Sequence, residues 1–124
     1  MSKVVYTPNA PEAIGPYSQA IVAGNLVFTS GQIPINPATG SIEAVTIEEQ
    51  TEQVCKNISA VLTAAGTSIE KVVKTVCFLS DMNDFAAFNA VYAKYFTGKP
   101  ARSCVAVKTL PKNVLVEVDT IAEI

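Results

Sequence analysis

Two helix-forming segments, each lying between strand-forming segments, constrain most strongly what this chain can fold into. The first begins at the capping box Thr46-Ile47-Glu48-Glu49 and carries apolar residues at helical spacing until Gly66, which can end it. The second is predicted from about Asp84 to Phe96, with Asp81 or Asn83 as its cap. Strand-forming stretches precede, separate and follow these helices, which indicates a fold built from both kinds of element.

Five strands are predicted, at residues 18–23, 26–30, 71–80, 102–107 and 114–122. Gly24-Asn25 is a hairpin turn signal between the first two of them. The resulting order ββαβαββ favours an α+β fold in which a mixed sheet carries both helices on one face. At 124 residues the chain is predicted to form a single domain over residues 1–124.

Alternation in the last strand predicts which of its side chains face the helices. Val114, Val116 and Val118 form an all-valine set, so we expect them under the helices. The other set mixes apolar side chains with the acids Glu117 and Asp119, and it is expected to face away.

The preceding strand is interpreted in the same way. Val105 and Val107 are placed on the face of the sheet that packs against the helices. Arg102, Cys104 and Ala106 are therefore expected on the opposite face. With the last two strands taken as neighbours, Arg102, Cys104 and Glu117 would share one half-apolar face. Arg102 and Glu117 would then lie close enough to shape one pocket.

Arg102 is the only arginine, and the chain has no histidine. A guanidinium among apolar residues needs an anionic partner, because an unpaired buried charge is costly. That partner could be Glu117 or Asp119 in a structural ion pair, or an external carboxylate or phosphate. The external ligand is favoured because an isolated ion pair adds little stability. Without a histidine to activate it, Cys104 is better interpreted as a packed thiol than as a nucleophile.

Composition excludes several classes of function. Only 16% of the residues are charged, which suggests that partner subunits cover part of the surface. A net charge of -2 argues against nucleic acid as the main ligand. No apolar run reaches the ~18 residues that span a bilayer. The three cysteines lack metal-type spacing and indicate free thiols in a cytoplasmic protein with no metal.

Three further positions each allow a structural and a functional interpretation. Tyr17 could be core filler or a pocket wall, since it follows Gly15-Pro16 in a turn. Ser30-Gly31 ends a strand, where free backbone N–H groups could meet an anion. Asn89 lies on the second helix among aromatic residues, where a solvated face is the simpler interpretation.

Taken together, these residues resemble the Rid family of reactive intermediate deaminases, the YjgF-type proteins, and most of all its RidA subgroup. The resemblance runs essentially end to end. It includes Gly15-Pro16-Tyr17-Ser18-Gln19-Ala20, the stretch from Phe28 to Pro34 and the helix start at Asp81-Met82-Asn83-Asp84-Phe85. Its most specific part is Pro100-Ala101-Arg102-Ser103-Cys104, followed fifteen residues after the arginine by Glu117. Val118 departs from the isoleucine or methionine common in the family, with no expected consequence.

The resemblance implies a chorismate-mutase-like fold assembled as a homotrimer, with pockets at the subunit interfaces. It also implies a cofactor-free hydrolysis of small enamines and imines, such as 2-iminobutanoate and 2-iminopropanoate, to 2-oxo acids and ammonia. Because imines hydrolyse unaided, positioning and one oriented water can suffice for such a reaction.

Carried onto this chain, the resemblance implies that Arg102 clamps the substrate carboxylate. Glu117 would hold the attacking water, helped by backbone groups around Cys104, and the neighbouring arginine should favour the ionised form of Glu117. The remaining pocket walls would come from Tyr17, Ser30, Gly31 and Asn89.

Three other functions remain open. The same pocket could bind a 2-oxo acid or an amino acid without turnover, as a regulatory module. Ribonuclease or translation-inhibitor activity is attributed to some relatives, but a chain without histidine and with one arginine supports it poorly. A chaperone acting through exposed apolar surface would not need Arg102.

Overall fold

A computed structural model describes residues 2–124 and shows one six-stranded sheet with two helices. The strands are β1 Lys3–Val5, β2 Ala20–Ala23, β3 Leu26–Thr29, β4 Val72–Leu79, β5 Ala101–Ala106 and β6 Val116–Glu123. The helices are α1 Ile47–Ala64 and α2 Phe85–Tyr95, and short 3-10 turns lie at Ile69–Lys71, Met82–Asp84 and Pro111–Asn113. The α+β class and the mixed sheet are therefore confirmed.

Both ends of α1 follow from the sequence. Thr46 accepts a hydrogen bond from the Glu49 amide, and the Glu49 carboxylate accepts one from the Thr46 amide, which completes the capping box. Gly66 has a φ of 87°, and the Thr67 amide donates back to the Leu62 carbonyl. That left-handed glycine terminates the helix, as expected.

Strand order across the sheet is β1-β2-β3-β6-β4-β5. β6 runs antiparallel to both β3 and β4, whereas β5 is parallel to β4. The parallel pair is joined by α2, because parallel neighbours need a crossover connection long enough to return the chain to the same end of the sheet. β5 is consequently an edge strand, and β4 separates it from β6.

The core lies between one sheet face and the two helices. Val114, Val116 and Val118 are buried as predicted, and Leu115, Glu117 and Asp119 are only half-buried on the opposite side. We call the side of the sheet that carries α1 and α2 the helix face, and the opposite side the outer face.

The prediction for β5 was wrong. In register, Arg102 pairs with Thr75 and Cys104 with Cys77, and both partners are fully buried under the helices. Arg102, Cys104 and Ala106 therefore point to the helix face, while Val105 lies on the outer face and is 48% exposed. Alternation misassigned the strand because its valines do not mark the core: they belong to an outer face that is itself apolar.

The predicted placement of Arg102 and Glu117 on one face of neighbouring strands was also wrong. Glu117 pairs with Phe78 on the outer face of β6. Arg102 lies on the helix face of β5, and a whole strand intervenes. Within one chain these two side chains are on opposite sides of the sheet.

Smaller differences concern the element bounds. The strand β1, which pairs with β2, was not predicted, because three residues carry too little alternation to be recognised. The strand expected from residue 18 begins at Ala20, and the last strand begins at Val116 rather than Val114. The second helix begins at Phe85, after a 3-10 turn in which Asp81 accepts from the Asn83 amide.

Candidate functional site

Arg102 is held on the helix face by side chains of α2. Its Nη1 donates a hydrogen bond of 2.7 Å to Oδ1 of Asn89. The guanidinium carbon lies 4.8 Å from the ring centroid of Tyr92 and 5.4 Å from that of Phe85. Such contacts stabilise a cation over an aromatic face and fix the direction of the guanidinium. Asn89 thus has a defined partner and is not a merely solvated residue.

The arginine borders a groove of about 550 Å³ between α2 and the edge strand, lined among others by Asn89, Tyr92, Phe96, Lys99 and Pro100. Asn89 is its hydrogen-bond partner within residues 2–124, so the rest of the donor fork is free for a planar anion. The alternative of a structural ion pair between Arg102 and Glu117 or Asp119 is not realised within the chain, because both acids lie on the outer face.

Cys104 is a packed thiol beneath the arginine. It is half-buried against the core and pairs in register with the fully buried Cys77. Burial raises the pKa of the Cys104 thiol, and the nearby Arg102 opposes this only in part. A raised pKa keeps the sulfur protonated, which supports the interpretation that it is not a nucleophile.

The other candidate residues gather on the outer face around Glu117. Tyr17, Ser30, Gly31 and Glu117 line one groove of about 350 Å³, together with Ile33 and Pro111. Ser30 follows the end of β3 and is fixed twice: its amide donates to the Gln19 carbonyl, and its hydroxyl donates to the Ser18 carbonyl at 2.6 Å. Of the residues that the resemblance assigns to the pocket walls, Tyr17, Ser30 and Gly31 line this groove, whereas Asn89 lies on the other side of the sheet.

Gly31 is required for the position of Glu117. A methyl group built on Gly31 would overlap the carboxylate of Glu117, which lies directly over the glycine. Glycine is therefore needed at position 31 because it lacks a side chain and leaves room for the Glu117 carboxylate, and not because of an unusual backbone angle. The sequence prediction assigned Gly31 a backbone N–H role and did not anticipate this close approach.

Two half-buried carboxyl groups of the outer face, those of Glu117 and Asp119, have raised pKa values. Burial is the larger cause for Glu117, and the charge of Asp119, two residues along the same strand, adds to it. Burial also raises the pKa of Asp119. The expectation that Arg102 favours ionised Glu117 is thus not met within one chain, because the arginine is on the other face of the sheet.

Three buried amide side chains tie loop backbone to the core, one of them at Ile33 of the Glu117 groove, and sequence reasoning missed their roles. The Gln19 amide nitrogen donates to the Thr7 and Pro11 carbonyls, and its oxygen accepts from the Thr7 amide. Asn57 of α1 donates to the carbonyls of Ile33 and Ile35. Gln50 of α1 bridges the Ala44 carbonyl and the Leu115 amide.

The only sequence signal for these amides is a polar residue at an otherwise apolar position of a helix or strand. Each makes two or more hydrogen bonds to backbone, which compensates its burial and fixes the loop it touches.

The structure therefore divides the predicted site residues into two groups. The helix-face half-site contains Asn89, Arg102 and Cys104. The outer-face half-site contains Tyr17, Ser30, Gly31 and Glu117. The helix-face half-site holds the cation Arg102 without a carboxylate, and the outer-face half-site holds the carboxylate of Glu117 without a cation.

Residues 2–124 contain no cluster of three His, Cys, Asp or Glu side chains arranged to hold a metal ion. Neither helix in that range is both long and apolar enough to cross a bilayer.

The fold and the two half-sites can now be compared with known proteins. Residues 7–124 match the model of the family described as Endoribonuclease L-PSP. A RutC family protein of Pyrococcus horikoshii is 56% identical over 123 residues, which is 98% of this chain and 98% of that protein. A 2-iminobutanoate/2-iminopropanoate deaminase of Escherichia coli is 48% identical over 126 residues, again covering 98% of both chains.

Among solved structures, E. coli TdcF with bound serine superposes with a TM-score of 0.94 at 43% identity, covering 98% of each chain. The chain thus has a fold already seen in solved structures, an α+β fold with one mixed sheet and two helices on one face. Within that class, the chain belongs to the Endoribonuclease L-PSP family, also called the YjgF/Rid family. The resemblance seen in the sequence is confirmed at the level of the family.

Proposed function

We propose that this protein is an imine deaminase whose active site forms between two copies of the chain. The observation that carries the proposal is the separation of the half-sites: Arg102 and Glu117 lie on opposite faces of one sheet, yet their charges are complementary. A copy that presents its helix-face groove to the outer face of a neighbour would supply the cation that Glu117 and Asp119 lack.

The outer face has the character of a subunit interface. Phe28 is 41% exposed and Val105 48% exposed, and Val76, Phe78 and Ile121 lie on the same side. Apolar surface of this kind favours association. When two different surfaces of a chain meet, the contact is heterologous, and it closes into a ring if the rotation allows. A three-membered ring, the homotrimer that the family resemblance implies, would contain three composite sites.

In the composite site, the free donors of the Arg102 fork would bind the carboxylate of a 2-imino acid bidentately. This binding would place the C=N carbon beside Glu117. The carboxylate of Glu117 accepts a proton from water as the water oxygen bonds to that carbon, and the π electrons of C=N pass to nitrogen, which takes that proton from Glu117. In the resulting carbinolamine, Glu117 moves the hydroxyl proton to nitrogen as the C–N bond breaks, so ammonia leaves, the 2-oxo acid forms and Glu117 is again ionised.

The electrostatics of the separated half-sites support these roles. A carboxylate that acts as a general base must be ionised at the working pH. Within one chain, burial and the charge of Asp119 raise the pKa of Glu117 and so disfavour the ionised form. An arginine within a few ångströms would lower the pKa of the carboxyl group. The neighbouring copy, through its Arg102, would thus complete Glu117 as a base. Cys104 contributes packing and backbone groups, with no covalent step.

The direct test follows the decay of 2-iminobutanoate, formed from threonine by a dehydratase, with semicarbazide as the competing trap. Wild type should accelerate imine loss, whereas Arg102→Ala and Glu117→Gln should not. Lys94→Ala, an exposed change on α2, is the matched control and should behave as wild type. Equal rates with and without wild-type protein would contradict the proposal for this substrate.

Binding without turnover is the second candidate function, and the serine bound to E. coli TdcF favours it. The same composite site would then hold an amino acid or 2-oxo acid through its carboxylate. Calorimetric binding of 2-oxobutanoate that depends on Arg102, together with no imine turnover, would select this function.

Hydrolysis of RNA, which the family's name describes, has little physical support in this chain. There is no histidine for acid–base catalysis, and the net charge of -2 gives no basic surface for a phosphate backbone. Binding of RNA that weakens steeply with salt would restore that candidate.

A further inference from the structure

The ring of Tyr92 on α2 is the nearer of two aromatic supports of Arg102. The guanidinium carbon lies 4.8 Å from the Tyr92 centroid, against 5.4 Å from that of Phe85. Asn89 accepts a hydrogen bond from Nη1 of Arg102, but one hydrogen bond leaves the guanidinium plane free to turn about it. The direction of the donor fork is therefore set by the ring against which the guanidinium lies.

The Tyr92 ring is itself packed from more than one side. Phe85, Asn89, Tyr92 and Phe96 recur at spacings of three and four residues, so they share one face of the helix. The ring of Phe96 stacks on Tyr92 with 4.4 Å between centroids, and that of Phe88 lies 5.4 Å away at a tilt. A phenylalanine at position 92 would supply this packing equally well. The tyrosine hydroxyl therefore calls for a separate explanation.

That hydroxyl is paired with a threonine in the core. The Tyr92 and Thr75 hydroxyl oxygens are 2.8 Å apart, and Thr75 is fully buried in β4. The other buried residues that follow it on the same face of β4, Cys77 and Leu79, are apolar. A buried hydroxyl is costly without a hydrogen bond, so Thr75 and Tyr92 each satisfy the other.

Strand register brings this pair back to the arginine. Thr75 of β4 is the register partner of Arg102 of β5. The backbone beside Arg102 thus carries the hydroxyl that holds the Tyr92 ring, and the ring in turn contacts the Arg102 guanidinium. Three contacts, one between strands, one between hydroxyls and one between ring and cation, connect these three residues in a closed loop.

We propose that Thr75 and Tyr92 are positioning residues of the carboxylate clamp, and that their hydroxyl pair holds the Tyr92 ring at the tilt that orients the Arg102 fork. The inference rests on the proposed function, in which Arg102 binds the substrate carboxylate. Thr75 is fully buried, so it acts only through Tyr92. A fork that is oriented in advance binds a planar anion without the entropic cost of ordering its donors.

The test measures binding of 2-oxobutanoate by calorimetry for Tyr92→Phe and Thr75→Val. Each should raise Kd about fivefold, because each removes the same hydrogen bond and leaves the ring in place. The double variant should bind no more weakly than either single one. KM for 2-iminobutanoate should rise by a similar factor while kcat changes less than twofold, since Glu117 belongs to the neighbouring copy.

Two matched controls remove a hydroxyl hydrogen bond elsewhere. Tyr95→Phe, also on α2, loses the bond to Glu52, and Thr51→Val loses a buried bond to the Ile47 carbonyl. Both should lower the melting temperature and leave Kd unchanged. Thr75→Ser keeps the hydroxyl and should bind 2-oxobutanoate as wild type does.

An unchanged Kd in Tyr92→Phe, with a lowered melting temperature, would assign the hydroxyl pair a merely structural role and overturn the inference. Equal weakening by Thr75→Ser and Thr75→Val would also overturn it, because the hydroxyl would then not be the group that matters. Absence of 2-oxobutanoate binding by wild type would do the same, since there would be no carboxylate clamp to position.

The two readouts separate this inference from the proposed function. If wild type does not accelerate imine loss but the expected pattern of Kd values is found, the deaminase proposal fails and the positioning role stands. If turnover depends on Arg102 but Tyr92→Phe leaves both KM and Kd unchanged, the deaminase proposal stands and the positioning role fails.

Discussion

The helix-face and outer-face half-sites differ in how well the surrounding residues stabilise the charged side chain of each. Arg102 is held by Asn89 and by the rings of Tyr92 and Phe85, so its position is fixed before any ligand arrives. Glu117 lies over Gly31 on an open sheet face, and its nearest ionisable influence is another acid, Asp119. One half is a preorganised anion receptor, and the other is a carboxylate group that lacks a counter-charge.

This difference indicates which half determines affinity and which determines chemistry. A prepositioned guanidinium can bind a carboxylate whether or not a reaction follows, so on the proposed function the helix-face half-site accounts for recognition. A cation would reduce the penalty of burying ionised Glu117, so on the proposed function the outer-face half-site gains its reactivity on assembly. The following variants test this division, starting from the largest expected effect.

Arg102→Lys should have the largest effect, a loss of about a hundredfold or more in kcat/KM for 2-iminobutanoate. Lysine keeps the charge but loses the planar fork and its stacking on Tyr92 and Phe85. Steady-state kinetics with the competing trap measure it. Lys94→Arg, the reverse exchange at an exposed position of α2, is the control and should be silent. Near-normal activity of Arg102→Lys would show that charge alone, without bidentate geometry, is sufficient.

Gly31→Ala should have an intermediate effect, lowering kcat about tenfold. The added methyl group would displace the Glu117 carboxylate from its place over residue 31. Because a carboxylate at the end of a side chain can rotate away, the cost in folding free energy should stay below about 1 kcal/mol. Thermal unfolding and kcat, measured on the same samples, separate the two effects. Full activity with an unchanged melting temperature would mean that Glu117 need not lie over Gly31.

Asp119→Asn should have the smallest effect, a shift of the acid limb of the pH profile. Asp119 raises the pKa of Glu117, so removing its charge lowers that pKa. The ionised, active form of Glu117 then persists to lower pH, and the limb of kcat/KM moves down in pH with little change at neutrality. Glu123→Gln, at an exposed position of the same strand, is the control. A limb that stays in place would exclude Glu117 as the group that titrates.

The sequence predicted those parts of the fold whose signals are local. The capping box at Thr46, the glycine end at Gly66 and the buried valines of the last strand all need only neighbouring residues to be recognised. The strand order could not be predicted from local signals. The last strand, β6, lies between β3 and β4, and no residue near it in the sequence specifies that pairing. As a result β4 lies between β5 and β6, and Arg102 and Glu117 are on opposite faces of the sheet.

The candidate site, too, was predictable only where its signals are local in the sequence. Its residue types were predictable, since a lone arginine in an apolar strand needs an anion. Its two-faced arrangement was not, because both faces of β5 carry apolar side chains and alternation cannot choose between them. The contact of Glu117 with Gly31 and the amide clamps of Gln19 and Asn57 join residues far apart in the chain.

The most direct measurement of the central claim is activity in oligomers that combine Arg102→Ala chains with Glu117→Gln chains. Two different affinity tags and co-expression allow mixed oligomers, trimers on the proposed function, to be purified, and each variant alone should be inactive. In a mixed ring with heterologous contacts, one interface in three joins an intact Arg102 to an intact Glu117, so about a third of wild-type activity should return. Mixed trimers that remain inactive would contradict a site formed between two copies.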